Sequence, residues 1–290
     1  MSNARILIVT NLLMLFGVLP DNVASFDDQY MLAGMPAYMK EIDSVAALSD
    51  SLKSPHLSTR LHSVIRLVQL KDQAAVPAII DAYQKESVQT VSAVDLGYGF
   101  KYFALSGIGR IGGEVAASFL RHVADSLMSS VKDKQNLGPD ESSAVAGLLE
   151  GLAELEPADR ANKYLEYFNY EKMNSWARVD AYVAFERIHL RDTTFATYKD
   201  SLFYLLDQKR NLKVTENYIA PRVMSTQYAK ANALSDLIVA YGAQDLSVFD
   251  QYGNTLEAAD PFLNEIAQQK LTITTGIKNR EQYGPFELDK

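Results

Sequence analysis

Not one cysteine occurs among the 290 residues. Disulfides, thiolate nucleophiles and Cys-ligated zinc are therefore excluded, while the redox compartment is left open. Cations are also scarce: 28 Lys and Arg stand against 36 Asp and Glu, giving a net charge of −8 and a pI near 5.1. A nucleic-acid binder neutralises phosphates with clustered Lys and Arg, and no such cluster is present, so nucleic acid is not an expected partner. The four histidines, His56, His62, His122 and His189, form no H-E-x-x-H arrangement, and none is followed by Glu. Neither a G-x-S-x-G elbow nor a P-loop lysine motif occurs. Zinc hydrolysis and serine catalysis are thus without support, and no catalytic residue, metal ligand or cofactor is expected.

What is present is apolar material, 48% of the chain, with 10% aromatic residues, enough for a large core. Its first 25 residues differ from the rest. Arg5 precedes an apolar stretch from Ile6 to Leu19, Pro20-Asp21-Asn22 breaks it, and Val23-Ala24-Ser25 offers small residues for cleavage. This pattern predicts a signal peptide over residues 1–25 and a periplasmic or secreted mature chain. As a helix the apolar stretch reaches about 21 Å, short of the roughly 30 Å hydrocarbon core, so no stable membrane span is expected after cleavage. An N-terminal core helix is the alternative reading, and Thr10 and Asn11 inside the stretch keep it open.

The strongest internal pattern is a repeat. Leu67, Ile108 and Leu149 stand 41 residues apart, and Leu70, Ile111 and Leu152 repeat the step. A fixed period of this size points to stacked units, none of which can bury its apolar face alone. The first unit places Ser58-Thr59 at a helix start, with Leu61, Val64, Ile65 and Val68 at i, i+3, i+4 and i+7. Lys71-Asp72 then turns the chain, and a second helix has Pro77 in its first turn. The second unit runs Lys101–Ile111, turns at Gly112-Gly113 and continues Val115–Leu127; the third runs from Ser142 and turns at Glu156-Pro157. A fourth aligns Arg178, Phe185 and Ile188 at a shorter step of 36, with a second helix over about 194–206. Beyond Asn211 the period is lost. The expected organisation is a repeat array of four to five units over 26–210, a helical cap over 211–270 containing Val223–Tyr241 and a helix opened by Asp260-Pro261, and a tail over 271–290.

The stretches RLHSVIRLVQLKDQAAVPAII from Arg60 and KYFALSGIGRIGGEVAASFL from Lys101 resemble short bacterial HEAT repeats. Arg60, Ser63, Leu67, Asp72, Ala75, Val76 and Pro77 fit that pattern, as do Lys101, Ala104, Ile108, Gly109, Gly112 and Ala116. The third unit departs from it with Ser142 in place of the cation and Glu150 in place of Gly, and the fourth recovers the cation at Arg178. The resemblance covers roughly 45–206. It implies an all-α fold, a right-handed α-solenoid of helical hairpins with an irregular C-terminal cap, of a kind used mostly for binding.

Gly107, Gly109 and Gly112 spell G-x-G-x-x-G, but no strand or acidic second strand surrounds them, and they are expected where the second unit's helix ends and turns. Asp140-Glu141 and Glu150, Glu154 and Glu156 lack the compact loop of a calcium site and read as a solvated helix face. One positive site hypothesis concerns tyrosines on second helices: Tyr83 in the first unit, Tyr164 and Tyr167 with Phe168 and Tyr170 in the third, and Tyr204 in the fourth. Such rings are enriched at interfaces, and a tyrosine-bearing groove suits a peptide; the alternative is that they pack between repeats. The functional expectation is an exported, non-enzymatic scaffold or adaptor for a protein or peptide. The alternative is a HEAT-like enzyme or lyase-type subunit acting on a protein-bound ligand.

Overall fold

The computed structural model describes residues 35–86, 99–156, 172–173, 175–192, 195–212 and 225–283, and among them no strand occurs. The expected signal peptide, and with it Val223 and Met224, lies outside the described residues. No described helix is long and apolar enough to cross a membrane. The helices divide into two compact units, Met35–Asp192 and the described part of Thr193–Lys290.

In the first unit, α1 (Ala37–Lys40) and α2 (Val45–Ser51) precede α3 (Leu57–Leu70). The N-cap of α3 falls two residues before the expected one: His56 holds that position, and Ser58 and Thr59 fall in the first turn. Lys71 ends it in the left-handed region, φ 51°, with its N–H shared between the Leu67 and Val68 carbonyls. Asp72 then caps a 3₁₀ turn at Gln73–Ala75 by accepting from the Ala74 N–H at 2.9 Å, and α4 (Val76–Lys85) starts with Pro77 in its first turn, where no N–H is needed. The second hairpin is α5 (Phe100–Ile111) and α6 (Glu114–Val131), joined by Gly112 and Gly113 at φ 83° and 97°. Here the turn needs glycine, because L side chains rarely tolerate that region. Next come α7 (Pro139–Leu155), whose N-cap Gly138 donates its N–H to Glu141 Oε2 at 3.2 Å, and α8 (Ser175–Asp192).

The first helices lie side by side in chain order, α3 on α5, α5 on α7 and α7 on α8, while α4 and α6 contact each other in a second row. The α5–α7 contact is the most extensive. Its closeness has a cause in composition. A Cβ on Gly109 would land on the backbone of Gly151, one on Gly147 on the backbone of Tyr102, and one on Gly151 within 2.5 Å of the Leu105 carbonyl oxygen. Of the repeated positions, Leu67, Ile108, Leu149 and Leu152 are fully buried and Ile111 nearly so, while Leu70 is half-buried.

The second unit holds α9 (Tyr198–Asn211), α10 (Thr226–Gly242), α11 (Ser247–Gly253) and α12 (Phe262–Tyr283). Thr197 and Ser225 cap α9 and α10 by accepting from the Asp200 and Tyr228 N–H groups, each at 3.2 Å. Asp260 does the same at the start of α12, accepting from the Phe262 N–H at 2.9 Å. Helix α9, expected as the second half of a fourth hairpin, packs instead on α10 and belongs with the C-terminal helices. The expected tail is also corrected, since α12 continues through Leu271 to Tyr283. Thr272 and Thr274 look like strand residues in sequence but donate their hydroxyls to the Gln268 and Lys270 carbonyls, 2.9 and 2.8 Å away, and Ile273 between them is fully buried.

Candidate functional site

The cations that open first helices turn out to be ties. Arg60 donates from Nη1 to the Ser54 carbonyl at 2.9 Å and from Nη2 to Glu86 Oε1 at 2.8 Å, and its guanidinium lies 5.6 Å from the Phe100 ring centroid. Lys101 pairs with Asp140 at 2.9 Å, linking α5 to the start of α7. Arg178 donates to the Met173 carbonyl through Nε and Nη2 at 3.3 and 3.1 Å.

Two of the expected tyrosines, Tyr83 and Tyr204, fall within the described residues. Tyr83 is half-buried on α4 with its ring edge against Phe119 of α6, centroids 5.7 Å apart. Burial pushes its phenol above the usual range, and the negative charge of Asp140 adds to this. That is the arrangement expected of a ring packed between successive hairpins. Tyr204 lies in the second unit, 5.4 Å from Phe195. Tyr164 and Tyr167, with Phe168 and Tyr170, lie outside the described residues.

Among the acidic residues the expectation of a solvated face fails at two positions. Glu150 is 2% exposed and Glu156 1%, while Glu154 is open to solvent and pairs with Arg187. Burial raises the Glu150 carboxyl, opposed by Arg187 and Arg110, and the same burial lowers the Arg110 guanidinium. Glu156 accepts from Arg121 Nε at 2.5 Å, tying α6 to the end of α7. Carboxylates of this kind are structural: each is matched to a cation on a neighbouring helix. Sequence carried a faint sign of this, because Glu150 replaces a glycine in an otherwise apolar run.

The nucleotide-like glycines are likewise structural, though only Gly112 turns the chain; Gly107 and Gly109 sit inside α5 for helix contact, Gly107 against Val64 and Val68. Of the histidines, His62 is buried in α3, His122 is exposed, and His189 meets the Phe185 ring at 4.5 Å. No group of three metal-ligating side chains occurs among the described residues.

Two polar constellations went unnoticed in the sequence. In the second unit Lys209 reaches Ser235 Oγ on α10 and Glu265 Oε1 on α12, the latter at 2.5 Å. A lysine beside a serine suggests an activated nucleophile, but Lys209 Nζ is also engaged by the Glu265 carboxylate, and Ser235 Oγ donates to its own helix at Ala231. The neighbouring Asp236 carboxyl is pushed up to about 7 by burial, against the pull of Lys209. In the first unit an open cleft of about 480 Å³ lies between α2 and α4. Arg60 and Glu86 form part of its wall, Lys53, Asp81 and Lys85 stand around it, and Ala78 and Ala82 leave space on the α4 side. It is assembled from side chains of separate elements between Ser49 and Glu86, so periodicity gives no sign of it.

The chain matches no family model, no curated protein and no solved structure.

Proposed function

We propose that the chain is an exported, non-enzymatic scaffold or adaptor, built as a right-handed α-solenoid of HEAT-like hairpins, that binds a protein or peptide partner. The observation that carries this reading is the order of the first unit. Successive first helices α3, α5, α7 and α8 stack in chain order, with α4 and α6 in a second row. Such stacking keeps long helix faces and the clefts between them available on a stiff frame, which suits binding more than chemistry. The matching of Glu150 and Glu156 to cations on neighbouring helices agrees with it, since these carboxylates serve the packing of the frame.

The test is capture of the tagged full chain from the envelope fraction of its own cells, with the mass of its mature N-terminus measured on the same sample. The expected result is a defined protein or peptide retained in constant ratio and a chain starting near Phe26. A chain starting at Met1 or Ser2 overturns export, and turnover of a protein-bound ligand by the purified chain overturns the non-enzymatic reading.

A further inference from the structure

We propose that the cleft between α2 and α4 binds the C-terminal carboxylate of a peptide. This rests on the reading of the chain as a scaffold for a protein or peptide, and it names which part of the partner is held. At about 480 Å³ the cleft lies in the range of sites that enclose small groups. In a protein of net charge −8 its surroundings are balanced: the cations Lys53, Arg60 and Lys85 each sit beside one carboxylate, Asp50, Glu86 and Asp81.

These cations differ in a way that suits capture. Arg60 is 8% exposed and held by two hydrogen bonds and the Phe100 ring, so its position is fixed before any ligand arrives. Its Nε–H is buried, with no acceptor among the described residues, and does not open on the cleft. Among the described residues Lys53 and Lys85 each pair with a neighbour on their own segment, Asp50 and Asp81, both at 2.7 Å, and both lysine side chains are 74% exposed. Exposed pairs of this kind contribute little, so an incoming carboxylate can replace either partner at little cost.

The remaining lining selects among anions. The cleft borders the carbonyl end of α2 at Leu52 and Ser54 and contains the carboxylates of Asp81 and Glu86. A phosphate dianion is repelled by that end of a helix and by both acids. A peptide terminus presents one negative charge followed by backbone N–H donors, and so meets both signs: the lysines take its carboxylate, and the acids and the α2 carbonyl end accept from its amides. Ala78 and Ala82 leave a shallow apolar floor for its last side chain.

The experiment measures fluorescence anisotropy of the full chain with a pool of fluorescein-labelled pentapeptides of randomised sequence, bearing free C-termini, against the same pool capped as amides. The free-acid pool is expected to bind at least about ten-fold tighter. A Lys53→Ala, Lys85→Ala double variant is expected to lose at least that factor with its thermal transition unchanged, since both side chains are exposed. Equal binding of the amides, or full affinity in the double variant, overturns the assignment. Displacement by propionate as effective as by free-acid peptide makes the occupant a small carboxylate and overturns the peptide. Envelope capture with both proteins separates this from the broader reading: a partner retained equally by both keeps the scaffold and overturns the cleft, whereas tight free-acid binding with no captured partner keeps the cleft and overturns the scaffold.

Discussion

The two units hold their helices together by different means. In the first, α5 and α7 meet backbone to backbone through Gly109, Gly147 and Gly151, and charged residues tie the edges, as Lys101–Asp140 and Arg121–Glu156 do. In the second, side chains do the joining. Lys209 spans from α9 to α10 and α12, and Tyr252 donates to Asp207 at 2.6 Å within a cluster where its ring meets those of Phe203 and Phe262. Even the tight glycine there, Gly242, faces a ring, that of Phe249, rather than a backbone. The period of the first unit is carried by buried apolar residues such as Leu67, Ile108 and Leu149, and its last matches, Phe185 and Ile188, lie just before the second unit begins.

The largest expected effect comes from forcing a side chain into the backbone contact. Gly109→Val places a branched side chain where even a methyl meets the Gly151 backbone. We expect a loss of several kcal/mol, beyond the roughly 1–3 kcal/mol of ordinary overpacking. Denaturant unfolding followed by hydrogen exchange should show protection lost in α5 and α7 and kept in α10; loss confined to α10 would invert the comparison.

A smaller effect tests the side-chain bridges. Asp236 titrates at about 7 when folded against 3.8 as its ordinary value. The folded state therefore holds the proton more tightly, and its advantage, full below about pH 4, is lost as pH rises toward 7. At about 1.4 kcal/mol per unit this is a few kcal/mol, with the attraction of Lys209 already included in the shift. Asp236→Asn should remove that decline, giving a variant more stable than the parent at pH 8 and close to it at pH 4. Parallel pH profiles of the two proteins would show that Asp236 is not desolvated.

The smallest effect belongs to the solvent-facing pair Lys270–Asp250, 2.5 Å apart with side chains 30% and 64% exposed. Lys270→Ala should change stability by less than about 1 kcal/mol and lose even that in high salt. A larger, salt-resistant loss would mean that the second unit depends on its rim as much as on Lys209.

The helical class and most hairpin elements were legible because buried apolar residues recur at helix spacing, and Gly112-Gly113 and Pro77 mark turns for reasons of φ and missing N–H. The glycines of α5 and α7 misled, since a glycine needed for contact and one needed for a turn are the same letter. Glu150 and Glu156 read as solvated because their cations, Arg110 and Arg187 for one and Arg121 for the other, come from other helices. The helix α11 was missed altogether. Its only local sign is Asp245, which accepts from the Ser247 N–H at 2.9 Å, ahead of buried Val248, Phe249 and Tyr252. Of the candidate site, the tyrosines were visible and the cleft was not, because its walls are set by how α2 meets α4.

The bare backbones at Gly147 and Gly151 also limit how such a chain can grow. One period earlier stand Ser106 and Arg110, and two periods earlier Ile65 and Gln69. A duplicate of the first hairpin inserted after the second would present an isoleucine and a glutamine to the face of α5 where nothing larger than hydrogen fits. The units share a length and a pattern without being interchangeable, and their order is written into the notches between them.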